Sequence, residues 1–238
     1  MKFILFLEGA TEEKGVPGFI NRWLSQFFAV GVGVQADTFE GWSDLHDSAP
    51  KKAARYLTDA RSSEVIAVIS LLDLYGPTFY PADKASVSER YAWGVEYMED
   101  HVRQRFRGRG LPDDLALRYR HFFAVHETEA WFLAQPALFP DQIRQVLEKQ
   151  PKAPEAVNFQ APPGKLLEQQ YLQKLKRRYS KTTNARNFFP RLDTETIVNH
   201  CPYLKAMLHD LRQMALDAGV PPRGNWHQEA GRETAPDA

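Results

Sequence analysis

The sequence predicts an α/β fold: a mainly parallel central sheet of about four strands, helices on both faces and a helical C-terminal half. Three observations lead there. The apolar runs at 2–8 and 65–74 are continuous, the pattern of strands buried on both faces. Helical stretches separate the strand-like runs, as crossovers between parallel strands require. After residue 136 the chain offers helical stretches and no convincing long strand.

Residues 2–8, KFILFLE, form the first strand and end in an acid. Gly9, Ala10 and Thr11 make the turn. Thr11 is placed to cap a helix, and Glu12 and Glu13 fall in its first turn, where the helix dipole favours acids. That helix is expected to run to about Phe28, with Phe19, Ile20, Trp23, Leu24 and Phe27 as its buried stripe and a kink at Pro17. Residues 30–40, VGVGVQADTFE, read as a second strand. Residues 43–62 read as a second helix starting near Pro50. The clearest strand is 65–74, VIAVISLLDL, which again ends in an acid, Asp73. A turn-rich loop, YGPTFYPAD, leads to a long helix over 86–107 and the basic segment RFRGRG. Residues 119–126, YRHFFAVH, form a fourth strand, and Glu127 and Glu129 follow directly. A helix from about Ala130 would carry Trp131, Phe132 and Leu133 inward.

The second half has Pro-rich joints at 151–154 and 162–163 and helical stretches at 141–149, 164–178, 194–199 and 202–218. The expected organisation is an α/β core over 1–136 and a helical extension packed on it over 137–220. The polar, Pro/Gly-rich tail over 221–238 is expected to be disordered.

Hydrophobic residues make up 43 % and charged residues 25 %, enough apolar material for a sizeable core. Thirty basic and thirty acidic residues cancel, so global charge points to no partner class. A nucleic-acid role would need local basic patches. The single cysteine, Cys201, excludes a disulfide framework within one chain and a Cys-based zinc site. The run Phe3 to Leu7 is too short for a secretory h-region. No stretch approaches the ~18 apolar residues of a membrane span. The expected location is the cytoplasm, with no membrane partner.

The acids at the strand ends carry the chemistry. Glu8, Asp73, and Glu127 with Glu129 close three of the four predicted strands. Open α/β sheets bind ligands at the carboxyl ends of their strands, and parallel strands would bring these acids to one edge. Gathered carboxylates repel, so one must rise in pKa unless a cation neutralises them. Mg²⁺ or Mn²⁺ suits an all-oxygen donor set. A metal so held can clamp a phosphodiester and activate water. Taken singly, an acid at a strand end is an ordinary helix cap or loop residue. Glu12 either stabilises the helix dipole or faces the site.

Other residues carry two readings each. His126 is a metal ligand, a proton shuttle or a hydrogen-bonded structural histidine. His121 belongs on a sheet face or the surface. Lys165, at a helix start, contacts phosphate or solvent; PPGK lacks the spacing of a P-loop. Two basic clusters are candidate nucleic-acid contacts or solvated faces. One is Arg103, Arg105, Arg107 and Arg109. The other is Lys174, Lys176, Arg177, Arg178 and Lys181, with Tyr171 and Tyr179 interleaved.

Five blocks carry a resemblance. LFLEGATEE, at 5–13, is similar to the first Toprim motif, an apolar strand ending in Glu-Gly followed by Thr-Glu. AVHETEAWFLAQP, at 124–136, resembles the "QLHEFEALLFSDP" signature of domain-of-unknown-function family 4276, which is regarded as Toprim-like. LLDLYGPTFYP at 71–81, PEAVNFQAPPGKLL at 154–167 and NHCPYLKAMLHDL at 199–211 resemble that family's "DYYGLPxDFP", "PExIND…PSKRL" and "CPHFxxWLxxL" segments, in order.

The resemblance implies a Toprim-like fold with Glu8 as general acid/base. It implies that Asp73 is the first aspartate of a metal-holding pair, with Tyr75 at the second position. Glu127 and Glu129 match the family's "HEFE" acids and would supply further ligands, with Glu12 a weaker candidate. Lys165, Lys174, Arg177 and Arg178 would position phosphates. The resemblance also implies an ATPase companion in bacterial defence, since the related overcoming-lysogenization-defect nucleases carry both parts in one chain. The implied function is a Mg²⁺- or Mn²⁺-dependent nuclease. A non-catalytic adaptor of an ATPase and a metal-dependent phosphatase are the alternatives.

Overall fold

The computed structural model describes residues 1–149, 153–156 and 162–224. Strand β1 (Lys2–Leu7) sets the layering. Phe3, Leu5 and Leu7 enter one core, and Ile4 and Phe6 enter the other. A strand apolar at every position is stable only where both sheet faces are covered. Strands β2 (Gly33–Thr38), β3 (Val65–Asp73) and β4 (Tyr119–Ala124) complete a sheet of order β2-β1-β3-β4. Every pairing is parallel, so all four carboxyl ends share one edge. The predicted second strand, 30–40, is trimmed at both ends.

Helices α1 (Ala10–Glu13) and α2 (Val16–Leu24) follow β1 in place of the single expected helix to Phe28. The break falls at Gly15. A Cβ there would lie 1.9 Å from Cδ2 of the buried Phe189 ring, so the backbone touches the ring face. Pro17 sits in the first turn of α2, where its missing N–H costs nothing, and starts a helix instead of kinking one.

Helix α3 (Trp42–Thr58) corrects the expected start near Pro50 and the expected end at 62. Pro50 lies inside the helix, on the buried stripe of Leu45, Ala49, Ala53 and Leu57. Packing of that stripe outweighs the one lost backbone hydrogen bond. Residues Ser62–Glu64 form a separate 3-10 turn. Helix α4 (Val87–Arg107) starts at a capping box of Ser86 and Glu89, and the short α5 (Asp113–Ala116) precedes β4. Side chains of α3 and α4 cover the Ile4 and Phe6 face.

The other face is covered by α2 and by the second half of the chain. That half contains α6 (Glu129–Leu133), α7 (Asp141–Leu147), α8 (Pro163–Leu175), α9 (Lys181–Phe188), α10 (Thr194–His200) and α11 (Pro202–Asp217). One core joins Phe3 and Leu5 of the sheet to Trp131, Leu167, Phe188 and Leu211. Helix α9 is not among the helices read from the sequence, and α8 stops at Leu175 because Lys176 turns into the left-handed region at φ 55°.

The start of the expected disordered tail is ordered. Ala29 N–H donates to Pro221 O at 3.0 Å, and Arg223 N–H donates to Phe27 O at 2.7 Å. Residues 225–238 of the tail and 151–152 of the Pro-rich joint lie outside the described residues. Among the described residues no helix is long and apolar enough to cross a membrane.

Candidate functional site

Strand β1 lies between β2 and β3, so the strand order reverses at the carboxyl ends of β1 and β3. This switch point is where open α/β sheets form a ligand crevice. Glu8 is the first residue beyond β1, and Asp73 is the last residue of β3. The chain beyond β4 folds back over the end of β3. Leu74 N–H donates to Ala124 O at 2.9 Å, and Tyr75 N–H donates to His126 O at 3.2 Å. Thr128 N–H donates to Asp73 Oδ1 at 3.2 Å. His126 makes this reversal at φ 43°, an uncommon conformation for a residue with a Cβ. The reversal delivers Glu127 and, at the start of α6, the buried Glu129.

Among the described residues one cation enters this group, Lys181 at the start of α9. Its Nζ lies 2.8 Å from Glu127 Oε1 and 3.6 Å from Glu129 Oε2. The other oxygen of Glu127 accepts from Gly164 N–H at 2.7 Å. A Cβ at Gly164 would fall 2.7 Å from that same oxygen and 3.0 Å from Lys181 Cε. Only glycine therefore fits between Glu127 and Lys181 without displacement. The Thr11 and Thr182 hydroxyls, 3.2 Å apart, tie α1 to α9 beside the acids.

The electrostatics follow from crowding and burial. Burial pushes the Asp73 carboxyl well up, and Glu12, Glu129, Glu8 and Glu127 push it further. Burial raises Glu8 against the pull of the Asp73 and Trp42 N–H groups. Burial raises Glu12 to about 7, opposed by a backbone N–H and reinforced by Glu129 and Glu8. Burial also raises Glu129, with Lys181 holding it down. Burial alone would lower Lys181, but Glu129 and Glu127 outweigh it and raise its pKa.

The donor set fits a hard divalent cation in its chemistry. It is all oxygen, it carries more negative charge than Lys181 balances, and Glu8 Oε2 is buried without a hydrogen-bond partner. Among the described residues no three Asp, Glu, His or Cys side chains stand ready to chelate one ion as they are. Glu127 is engaged by Lys181 and Gly164, so chelation requires side-chain rotation.

The fold brings Glu8, Glu12, Asp73, Glu127 and Glu129 into one electrostatic group. His126 is buried beside them, and burial lowers its affinity for a proton. Lys165 is exposed, with Nζ 5.8 Å from the ring centroid of Tyr75. Lys174, Arg177 and Arg178 are exposed and make no ion pair with the acids; Arg177 lies over Tyr171. Of the expected basic cluster, Lys181 alone reaches the site. Its local signal was Ser180 as N-cap before the buried Ala185 and Phe188. His121 is fully buried on the α4 face of the sheet, its Nδ1 2.5 Å from Ser70 Oγ, which is also 2.7 Å from Tyr119 Oη.

Solved structures that resemble the chain include the C-terminal regions of two OLD proteins. The C-terminal region of the Burkholderia pseudomallei OLD protein is 18% identical over 89% of this chain and 97% of that one, with a TM-score of 0.40. The C-terminal region of the Xanthomonas campestris pv. campestris OLD protein is 16% identical over 90% and 96%, with a TM-score of 0.39. Among curated proteins nothing matches the chain significantly. A model of one family, the domain of unknown function DUF4276, matches residues 7–212, most of the chain, including Glu8, Glu12, Asp73, Glu127 and Glu129. The chain therefore belongs to the DUF4276 family.

Proposed function

We propose that this chain is a Mg²⁺- or Mn²⁺-dependent phosphodiester hydrolase, a nuclease that works with an ATPase partner. The observation that carries the reading is the convergence of Glu8, Glu12, Asp73, Glu127 and Glu129 at the strand-order switch point, with one lysine among them. Such a cluster is unstable without added positive charge, because like charges in a desolvated site raise one another's pKa. Asp73, Glu129, Glu127 and Glu12 are the residues that would hold the cation. Once bound, it would polarise a phosphoryl oxygen and supply an activated water.

The chain's own residues do the rest. Glu8 is half-buried, and burial raises its pKa above the ordinary carboxylate value, which suits it to hold or take a proton as the general acid/base. Lys181 is kept charged by Glu127 and Glu129 and supplies a fixed positive charge where a phosphoryl group would develop negative charge. Exposed Tyr75 and Lys165 stand together at the approach to the acids, where they would contact an incoming strand. The ATPase partner rests on the family resemblance.

A second reading is a non-catalytic adaptor of an ATPase. It is favoured by the Lys181 bridge, which satisfies Glu127 without any ion. Calorimetry with Mg²⁺ and Mn²⁺ separates the two. The hydrolase reading expects saturable binding to the wild type that is lost in Asp73→Asn and weakened in Glu8→Gln. Absence of binding to the wild type sinks it in favour of the adaptor.

A further inference from the structure

On the opposite face of the sheet from the helical second half, α3 and α4 run side by side. Between the later turns of α3 and the C-terminal end of α4 lies a cavity of about 610 Å³. Lys51, Lys52 and Arg55 of α3 line it, with Ser48, Thr58 and Arg109. A second cavity of about 460 Å³ shares Arg109 and is lined also by His101, Gln104 and Arg105. Among the described residues no acid lines either one. In a chain with zero net charge, five cations around two adjoining cavities make a concentrated positive patch.

The state of each cation matters more than their number. The four arginines at 103, 105, 107 and 109 divide into two pairs of i,i+4 spacing, which fall on different sides. Arg103 is engaged by Asp100 at 2.8 Å, and Arg107 is held by both oxygens of Asp113 at 2.8 and 2.9 Å. Arg105 and Arg109 have no carboxylate partner among the described residues, and these two face the cavities. Lys51 and Arg55 are likewise without one, and all four are exposed. Of the five, only Lys52 is paired, to Asp37 at 2.8 Å. The exposed cations line an open cleft, which suits a chain of phosphates crossing it better than a small anion enclosed on all sides.

We infer that this α3–α4 cleft binds the phosphodiester backbone of a nucleic acid, without reading bases. The site is separate from the strand-end acids. Because the strands are parallel, α4 carries the chain from the carboxyl edge back to the amino edge, a run of roughly 30 Å. Arg105 and Arg109 lie at its far end. Binding here stands whether or not the acids are catalytic.

The test uses the full chain in EDTA, which silences any metal chemistry. Fluorescence anisotropy measures binding of a labelled 20-nucleotide single strand and the matching duplex across a salt series. The wild type is expected to bind both, with affinity falling log-linearly with salt. The triple variant Lys51→Ala/Arg105→Ala/Arg109→Ala is expected to lose about tenfold or more in affinity. Its salt slope should shrink by about 0.7 to 0.9 for each phosphate contact removed. Arg186→Ala, which removes an exposed cation of α9 on the other face, should bind as the wild type does. Wild-type binding that is absent or insensitive to salt overturns the inference, as does a triple variant indistinguishable from wild type. Displacement by micromolar tripolyphosphate would also overturn it, because the cleft would then be a small-anion site. Presence or absence of cleavage by the wild type once Mg²⁺ replaces EDTA bears on the hydrolase reading alone.

Discussion

Replacing Lys181 by methionine keeps the length of the side chain and removes its charge. Glu127 then loses one of its two donors, and Glu129 loses its nearest cation. Breaking a fully buried pair costs roughly 3–5 kcal/mol, and an exposed pair contributes at most about 1 kcal/mol. The geometry lies between, with side-chain exposures of 46 % for Lys181, 12 % for Glu127 and 2 % for Glu129. The expected cost at pH 8 is therefore about 2 kcal/mol.

The sign of the pH dependence follows from the acids. Glu12, Glu129 and Asp73 all have folded pKa values above their ordinary ones. The folded chain thus holds more protons than the unfolded chain, and stability falls as pH rises from the ordinary carboxylate range through about 7, the value for Glu12. Lys181 stays charged across that window, since its own pKa is raised. Its removal raises the acids further and steepens the fall. At pH 5, below the value of about 7 for Glu12, Glu12 holds its proton and the acids repel less, so the cost should be smaller than at pH 8. Urea unfolding followed by tryptophan fluorescence, extrapolated linearly at pH 5 and pH 8, measures both values. A cycle with Glu127→Gln isolates the pair, and the two changes should be non-additive. An equal loss at the two pH values, or strict additivity, would refute the claim that Lys181 is the site's internal counter-cation.

Two further outcomes test the packing. Gly15→Ala puts a Cβ 1.9 Å from the Phe189 ring, which is wedged against Phe19, Trp131 and Phe132. The expected loss is about 3 kcal/mol, a drop in Tm on the order of 6–12 °C in thermal unfolding; a change under about 1 kcal/mol would show the contact to be soft. Glu155 is buried and accepts the N–H groups of Tyr203 at 2.8 Å and Leu204 at 3.2 Å, at the start of α11. Burial outweighs these donors and raises its pKa from 4.5 to about 7, so its contribution falls as pH climbs through that interval. Glu155→Gln should remove up to about 3 kcal/mol of the pH-dependent loss between pH 5 and 8, and identical stability profiles for variant and wild type would contradict this.

The strands were legible because burial on both faces forces continuous apolar runs, which show locally in residues 2–8 and 65–74. Their acids were legible for the same reason, since a charge after such a run marks where the strand leaves the core. Glu8, Asp73, Glu127 and Glu129 could thus be named from the chain and are indeed one electrostatic group. The errors fall where distant contacts override local preference. Pro50 sits inside α3 because its neighbours on the stripe pack against the sheet, and α2 begins at Val16 because Phe189 presses on Gly15.

What the sequence by itself determined is the α/β class, the approximate strands and the acids that end them. What only the tertiary structure decided is which charges meet. Lys181 looked like one member of a basic cluster with Lys174, Arg177 and Arg178, yet it alone reaches the acids. The arginines at 103, 105, 107 and 109 looked equivalent, yet two are neutralised and two are free of carboxylates among the described residues. Periodicity and composition are local properties carried along the chain. The pairing of Glu127 with Lys181 depends on a distance between residues 54 positions apart, and only the packed fold sets it.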